Sequence, residues 1–384
     1  MDIFLLDDKD PLLIDTYLSM IWTDRYAVAG DFELFMPIIK DLFKYVKLGK
    51  QEEDVFLKRR GSEHVMIIES VNLKTDTEEG DRVIIKGQSL ESMLNRRVLW
   101  HLTVISGNLQ EAIRSLIYAC FIDPEDTDRK DPDFIFETTE DPMVTDLTID
   151  DLNEFGGKQY AIGENLYDII CALCKEFGIG FSMTLNAQNK VVFKLYSGVD
   201  RSHAQTRNPY VVFSPKYDNL VDSEYLESVT NYKNVTLVGG EQLTLESGDP
   251  APRKFAIAGY GVGRKRREMF TDANDISSNL GPQEEGGEDV IVDEKTYLGM
   301  LVEKGYEDLK EHPFITLFDG MASAAITYIY GVHFSIGDVV QVADAYGHSS
   351  RARVSEVIMA VDKKNQGLYP TFEKINDESE DESA

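Results

Sequence analysis

The chain has 384 residues, beyond the size at which one hydrophobic core keeps growing, so roughly two to four packed subdomains are expected. An apolar fraction of 42% belongs to a folded globular chain and excludes a disordered one. Lys and Arg number 39 against 68 Asp and Glu, a net charge of −29, and such a surface repels phosphate backbones and anionic membranes.

The first residues, Met1 to Asp7, carry no basic run and no long apolar stretch, and no later segment reaches the about eighteen apolar residues of a membrane span. The expectation is a chain made in the cytosol that does not cross a membrane on its own. From Leu12 to Pro37, Ile14, Thr16, Leu18, Met20 and Trp22 alternate with Asp15, Tyr17, Ser19 and Ile21, and a second run, Phe32 to Met36, follows Gly30. This reads as a β-meander. It continues through Val55 to Leu57, His64 to Asn72 and Arg82 to Lys86, the short-strand spacing of an all-β barrel or sandwich. Ser89 is placed to cap a short helix carrying Leu90, Met93 and Leu94, with Arg96 and Arg97 in its last turn, where the helix dipole favours cations.

The pattern changes after Trp100. Asn108 with Glu111 three residues on is a capping-box-like start, and Leu109, Ala112, Ile113, Leu116, Ile117 and Cys120 fall on one helical stripe ending before Pro124. A second helix carries Leu166, Ile169, Ile170, Leu173 and Phe177, with Gly178 where a left-handed cap belongs. Between them, Asp123 to Asp151 holds twelve acids and reads as a long surface excursion. Strands return at Val191 to Tyr196 and Tyr210 to Phe213. Then Tyr232, Asn234, Thr236 and Val238 alternate with Lys233, Val235 and Leu237, a half-buried antiparallel strand entering a tight turn at Gly239-Gly240.

Lys254 to Ala258 is a further strand, Gly259 to Gly263 a hairpin turn, and Arg264 to Phe270 a basic strand. Asp293 caps a helix bearing Tyr297, Leu298, Leu301, Val302 and Leu309 that stops at Pro313. Phe314 to Phe318, Ala324 to Tyr330, Asp338 to Val342 and Arg351 to Val361 are strands, with turns at Gly337-Asp338 and Tyr346-Gly347-His348. Glu284 to Asp289 and Asp377 to Glu382 read as acidic segments that need not fold. The fold class is α+β and β-rich, and no repeat of fixed period is present.

Catalytic chemistry finds little support. The six histidines, His64, His101, His203, His312, His333 and His348, are scattered and none stands in a ligand motif. Cys171-Ala172-Leu173-Cys174 has redox spacing, but it lies mid-helix in an apolar stripe and not at a helix N-terminus where a thiolate is stabilised. With Cys120 as the only other cysteine, neither a disulfide scaffold nor a zinc site is expected. Gly259-x-Gly261-x-Gly263 departs from a dinucleotide loop because Arg264 stands where the third glycine belongs and no apolar helix follows. Carboxylate pairs carry no signal among 68 acids. No cofactor and no metal are expected.

One collinear set of short motifs points further. Gly87-Gln88-Ser89-Leu90, Leu94-Asn95-Arg96-Arg97, Asp200-Arg201-Ser202 and Asn208 to Pro215 come first. Asn219-Leu220, Ser228 to Val235 (with Asn231 and Asn234) and Val238-Gly239-Gly240-Glu241 follow. Arg267-Glu268, Phe270, Asp272, Ala273-Asn274-Asp275, Ile336-Gly337-Asp338-Val339-Val340 and Glu356-Val357 complete it. Together these resemble a family of siphophage tail hub proteins, over most of the chain from about Gly87 to Thr371. One departure is visible: the family often has Ala-Arg-Asp where this chain has Ala273-Asn274-Asp275, which puts the salt bridge of that arginine in question.

The resemblance implies two small antiparallel barrels with α+β insertions, three copies forming a ring around a DNA channel. Such a ring joins the tail tube, the tape-measure end and the distal tail ring to the fibre, spike or receptor-binding parts of the virion. Residues 1–100 then form a first barrel completed by strands near 191–240, residues 101–190 an α+β insertion with two helices, residues 191–375 a second barrel region with a helical insertion near 293–311, and residues 376–384 an acidic tail. Arg253, Lys254, Arg264, Lys265, Arg266 and Arg267 are the only basic concentration. The preferred reading has them meeting acidic loops of a neighbouring subunit; a plain solvated strand and a nucleic-acid contact are the alternatives, the last opposed by the net charge and the lack of stacking aromatics. Acids are expected to line the channel so that DNA passes without sticking. No lytic domain is expected after the last strands. A different class, a tail-tip protein binding or cleaving wall carbohydrate, would use Trp and Tyr platforms, and only Trp22 and Trp100 are present.

Overall fold

The computed structural model describes residues 2–6, 11–38, 54–75, 80–149, 157–242, 252–282, 289–322, 328–346, 348–362 and 366–375. The chain divides into two compact units, unit 1 comprising Met1–Tyr225 with Phe318–Ala384 and unit 2 Leu226–Leu317. The class is α+β with strands dominant, as read from the sequence.

Unit 1 begins with β1 (Ile3–Leu6), β2 (Leu12–Ile14), β3 (Ser19–Arg25), β4 (Asp31–Pro37), β5 (Phe56–Arg59), β6 (Val65–Lys74) and β7 (Arg82–Ser89). Alternation places Phe32, Leu34 and Met36 of β4 and Val83 and Ile85 of β7 in one core with Trp22, Leu57 and Met66. Each such buried side chain contributes about 1.5–3 kcal/mol. Ser89 stands at the N-cap of the following 3-10 turn, Leu90–Arg96, but makes no cap bond there. Its hydroxyl instead accepts from Gly30 N at 2.8 Å, a long-range tie that outcompetes the local one.

The insertion after β7 carries β8 (Thr103–Ile105), β9 (Gly107–Asn108), helix α1 (Leu109–Ile117), β10 (Phe134–Glu137), the short α2 (Pro142–Thr145), β11 (Thr148–Ile149), β12 (Lys158–Tyr160), α3 (Leu166–Glu176), β13 (Gly180–Leu185) and β14 (Val191–Tyr196). Asn108 caps α1 by accepting from Glu111 N at 3.1 Å, and Gly178 takes the left-handed conformation after α3. The described part of the acidic stretch lies mostly at the surface, as expected, but it is anchored to the core of the insertion. Its Phe134 stacks on Phe121 at 4.4 Å and Val144 and Ile149 are buried. β10 pairs in parallel with β14, and Asp133 and Glu137 meet Lys190 and Lys194. The apolar residues that fold it are spaced widely among charges, which hid them.

The chain continues through β15 (Val212–Phe213), β16 (Leu220–Ser228), β17 (Val235–Gly239), β18 (Phe255–Gly259), β19 (Glu268–Asp272), β20 (Asn279–Pro282), β21 (Asp289–Ile291), helix α4 (Glu294–Lys310), β22 (Ile315–Ala322), β23 (Val339–Ala343), β24 (Ser349–Asp362) and β25 (Gln366–Lys374). One sheet of unit 1 runs β16-β22-β25-β24-β3-β4-β7-β6-β5-β1-β2, with β23 and β15 branching from β24. Its ends are not joined by any pairing among the described residues. β24 is the shared strand: Ser349 to Arg353 pair with β23 and Glu356 to Asp362 with β3, and the change of partner coincides with an irregularity at Ser355.

In unit 2 the strand order is β18-β17-β19. β17 is antiparallel to β18 but parallel to β19, so Gly239-Gly240 opens no tight hairpin and Gly259 to Gly263 is no hairpin turn either. That second segment carries the chain from one edge of the sheet to the other, and its basic run begins in a 3-10 turn, Gly263–Lys265, and not in a strand. Tyr210 lies outside β15, and of the expected strand Ala324 to Tyr330 the residues 324–327 fall outside the described residues. The same holds for Gly347, for residues 150–151 and 284–288 of the internal acidic segments and for the acidic tail, 376–384. α4 lies across β17 and β18, with Tyr297, Leu301 and Gly305 on its buried stripe. A Cβ on Gly305 would stand 2.6 Å from that of Ala258, so the absence of a side chain is what lets the helix approach.

Asp293 caps α4, accepting from Lys295 N at 2.8 Å and Thr296 N at 3.0 Å. The bond from Thr296 N, foremost, holds its carboxyl below the usual carboxylate range. The stabilising contribution is therefore complete above the unfolded carboxylate pKa of about 4 and is lost as pH falls through the lower folded value. Amide exchange in the first turn of α4 should accelerate on acidification below about pH 4, and Asp293→Asn should remove most of that pH dependence.

Candidate functional site

The residues singled out in the sequence fall into two groups. Gly337 and Asp338 lie in unit 1 at the entry to β23. Asp338 is buried and its carboxylate accepts from Val199 N at 2.8 Å, Ser335 N at 3.0 Å and Arg201 Nε at 2.7 Å. Gly337 has φ +88°, and a Cβ there would stand 2.5 Å from the ring of Tyr26 and 3.1 Å from that of Tyr196. Those two rings meet edge to face at 5.6 Å. Arg353 of β24 donates to Gly337 O at 2.9 Å and to the Tyr26 hydroxyl at 3.2 Å, and its guanidinium sits 4.7 Å from the centre of the Tyr26 ring. The Tyr26 hydroxyl in turn donates to Gly178 O at 3.1 Å. Burial pushes the Tyr196 and Tyr26 phenols far up, so both stay neutral.

Nearby in the chain, Asp200 pairs with Arg351 at 3.0 Å. Asn219 is buried, accepting from Ser214 N at 2.9 Å and donating to Val212 O at 2.7 Å, which shapes the turn after β15. Arg96 holds Asp54 with two bonds of 2.6 and 3.1 Å. Arg97 lies 4.7 Å from the centre of the Phe121 ring and donates to Cys120 O, and its burial lowers its pKa. These are framework contacts. Tyr26, Tyr196, Arg201 and Arg353 complete the knot around Asp338 and escaped notice as site residues; for Arg201 the Asp200-Arg201-Ser202 match was the available signal.

The second group lies in unit 2. Asn234 clamps the basic segment, donating to Lys265 O at 2.9 Å while its Oδ1 accepts from Arg267 N at 2.8 Å. Arg253 is not a free cation. It pairs with Asp272, donates to Gly239 O and Gly240 O, and lies 5.7 Å from the centre of the Phe270 ring. Lys254 pairs with Glu294, and Arg266 with Glu268 at 2.5 Å. Arg267 donates to Val229 O. Arg264 and Lys265 are exposed, with no ion-pair partner among the described residues. Gly240 faces the Tyr297 hydroxyl, which accepts from Glu241 N at 2.8 Å. Asn231 and Asp275 are exposed. Asn274, where the resemblance leads one to expect arginine, accepts from Gln242 N at 2.8 Å and so serves as a backbone cap.

Among the described residues no group of three or more His, Cys, Asp and Glu is placed to hold a metal ion. Cys171 and Cys174 are buried and burial pushes both thiols up, Cys171 to about 11, so neither is an activated thiolate. Trp22 is fully buried with its Nε1 donating to Asp24 at 3.0 Å, and it forms no sugar platform. Trp100 is half-exposed and carries the Arg129 guanidinium 4.3 Å from its ring centre. No described helix is long and apolar enough to cross a membrane.

Residues 12–372 match the model of the siphovirus ReqiPepy6 Gp37-like proteins. The chain belongs to that family. No curated protein sequence matches it. Two solved structures share its fold over nearly their whole length. The 43 kDa tail protein of prophage MuSo2 from Shewanella oneidensis superposes with a TM-score of 0.58 at 11% identity, covering 97% of this chain and 98% of that one. The tail protein from Neisseria meningitidis MC58 gives 0.57 at 11% identity, covering 98% and 96%. At this identity the likeness shows the fold alone.

Two substitutions separate the two groups. Asp338→Ala leaves Arg201 and the N–H groups of Val199 and Ser335 without their acceptor and should cost unit 1 about 3–5 kcal/mol, read by urea unfolding followed through the buried Trp22. Asn234→Ala should leave that transition in place and raise the initial rate of tryptic cleavage at Arg264 to Arg267 several-fold.

Proposed function

We propose that the protein is a structural, non-enzymatic component of the siphophage tail tip. Three copies form a hub ring that joins the tail tube and distal tail ring to the fibre, spike or receptor-binding parts and surrounds the DNA channel. The observation that carries this reading is the sharing of fold along 97% of the chain with a prophage tail protein of nearly equal length, within a siphovirus family. In this reading residues 1–100 with strands near 191–240 form one small barrel and residues 191–375 a second, and the virion is the place of action.

The charge supports it. A net −29 suits a conduit past which DNA slides without binding. Arg264 and Lys265, whose side chains have no ion-pair or hydrogen-bond partner among the described residues, are available to acidic residues of a neighbour. Permanent assemblies of this kind bury on the order of 2,000 Å² or more per contact.

Light scattering of the purified protein at low and high salt tests it. A particle of three times 43.4 kDa, weakened by salt, is the expected result. A 43.4 kDa monomer at every concentration would overturn the self-assembling ring.

A further inference from the structure

Two apolar strips stand exposed on the chain, and their rims carry opposite charge. The first is the outer face of the three-stranded sheet of unit 2. Ile257 pairs with Leu237 and Leu237 with Phe270, so the three side chains form one row across β18, β17 and β19. Phe255 adjoins them on the same face of β18. Exposure is 59% for Ile257, 43% for Leu237 and 50% for each phenylalanine. The opposite face holds Thr236 and Val238 against Gly305 of α4, so the helix satisfies one side of the sheet only. Glu268 and Asp272 share the face of Phe270 but are paired with Arg266 and Arg253, and in the connection from β18 to β19, at one end of the sheet, Arg264 and Lys265 stand exposed.

The second strip is in unit 1. Val98, Trp100, Leu102 and Val104 are all exposed on either side of a bend at Trp100-His101, while Leu99 and Ile105 are buried. Ile162 extends the strip, since its neighbour Gly163 donates to Leu99 O at 2.8 Å. Arg129 fixes the segment, donating to Val98 O at 2.9 Å and stacking on Trp100. Acids outnumber bases around it: Glu125 reaches His101 at 2.8 Å, Glu164 adjoins through its backbone bond to Leu99 N, and Asp123, Asp126 and Asp128 follow the helix that ends beside them, against Arg129 and Lys130, the latter 4.0 Å from Asp123.

Soluble monomers seldom leave apolar patches of more than a few hundred Å² in water. Neither strip suits a twofold contact with itself, because that would set cation against cation or acid against acid. Each suits the other, with apolar row on apolar row and base against acid. Resting on the hub-ring reading, we propose that a second copy of this chain occupies each strip, the Ile257–Leu237–Phe270 row of one copy packing on the Val98–Val104 segment of the next. Such a contact joins two different surfaces, and repeated head to tail it closes a ring.

The test uses the full chain. Leu237→Asp and Leu102→Asp replace exposed side chains, and circular dichroism with thermal melting confirms that each folds. Each should raise the dissociation constant of the oligomer by roughly thirtyfold, the scale of a lost interface anchor. In parallel, the double variant Leu102→Cys, Leu237→Cys is treated with a short bis-maleimide; the native cysteines are buried. A ladder of covalent oligomers from the double variant, absent from either single variant, is the expected result. An oligomer that persists in both aspartate variants without cross-linking would overturn the assigned faces and leave the ring standing. A monomeric wild type would overturn both.

Discussion

The Asp338 carboxylate is the constraint on which unit 1 depends. It is buried, and it is affordable there only because Arg201 and the N–H groups of Val199 and Ser335 converge on it. Around it three distant parts of the chain are tied together: Tyr26 after the first strands, Gly178 and Tyr196 at the end of the insertion, and Gly337 and Arg353 near the C-terminal strands. Gly337 is needed because its left-handed backbone and the adjoining rings leave no place for a side chain. β24 then distributes this register, pairing with β23 along its first half and β3 along its second.

Unit 2 is organised by a different economy. A helix on one side of three strands buries Val238, Ala256, Ala273, Tyr297 and Leu301. Three strands and one helix give a small core, and Arg253 supplements it by tying Gly239 O, Gly240 O and Asp272 together across the sheet end. The basic residues thus divide into those bonded within the unit and the two whose side chains have no partner among the described residues, Arg264 and Lys265. That division bears on assembly: a charge already paired within its own chain adds little to a contact with another.

Much of the fold was legible. The caps Asn108 and Asp293 announce their helices because their side chains bond the first free N–H groups locally, and the alternating runs at Phe32 to Met36 and Val191 to Tyr196 are strands as written. What escaped depends on partners far away in sequence. Parallel pairing of β17 with β19 leaves no local trace, so the glycines around it resembled hairpin turns. The Ser89 hydroxyl had a choice of partners and took Gly30 N. The apolar strips show a subtler limit: alternation at Val98 to Val104 marks two faces without saying which is wet, and here four large side chains are exposed while Leu99 and Ile105 are buried. Of the site residues, Gly337 and Asp338 were visible through resemblance, whereas the role of Tyr26, Tyr196 and Arg353 appears only when the chain is folded around them.

The entry and exit of unit 2 carry a consequence for descent. The chain leaves unit 1 along β16 and returns along β22, which are neighbours in the sheet. Whatever lies between must only deliver two ends about 4.8 Å apart. A module inserted on such terms can be lengthened, trimmed or exchanged for another without disturbing the register of the host sheet. Lineages that keep the frame can therefore trade this graft freely, and divergence should concentrate in it while the host strands stay nearly constant in length.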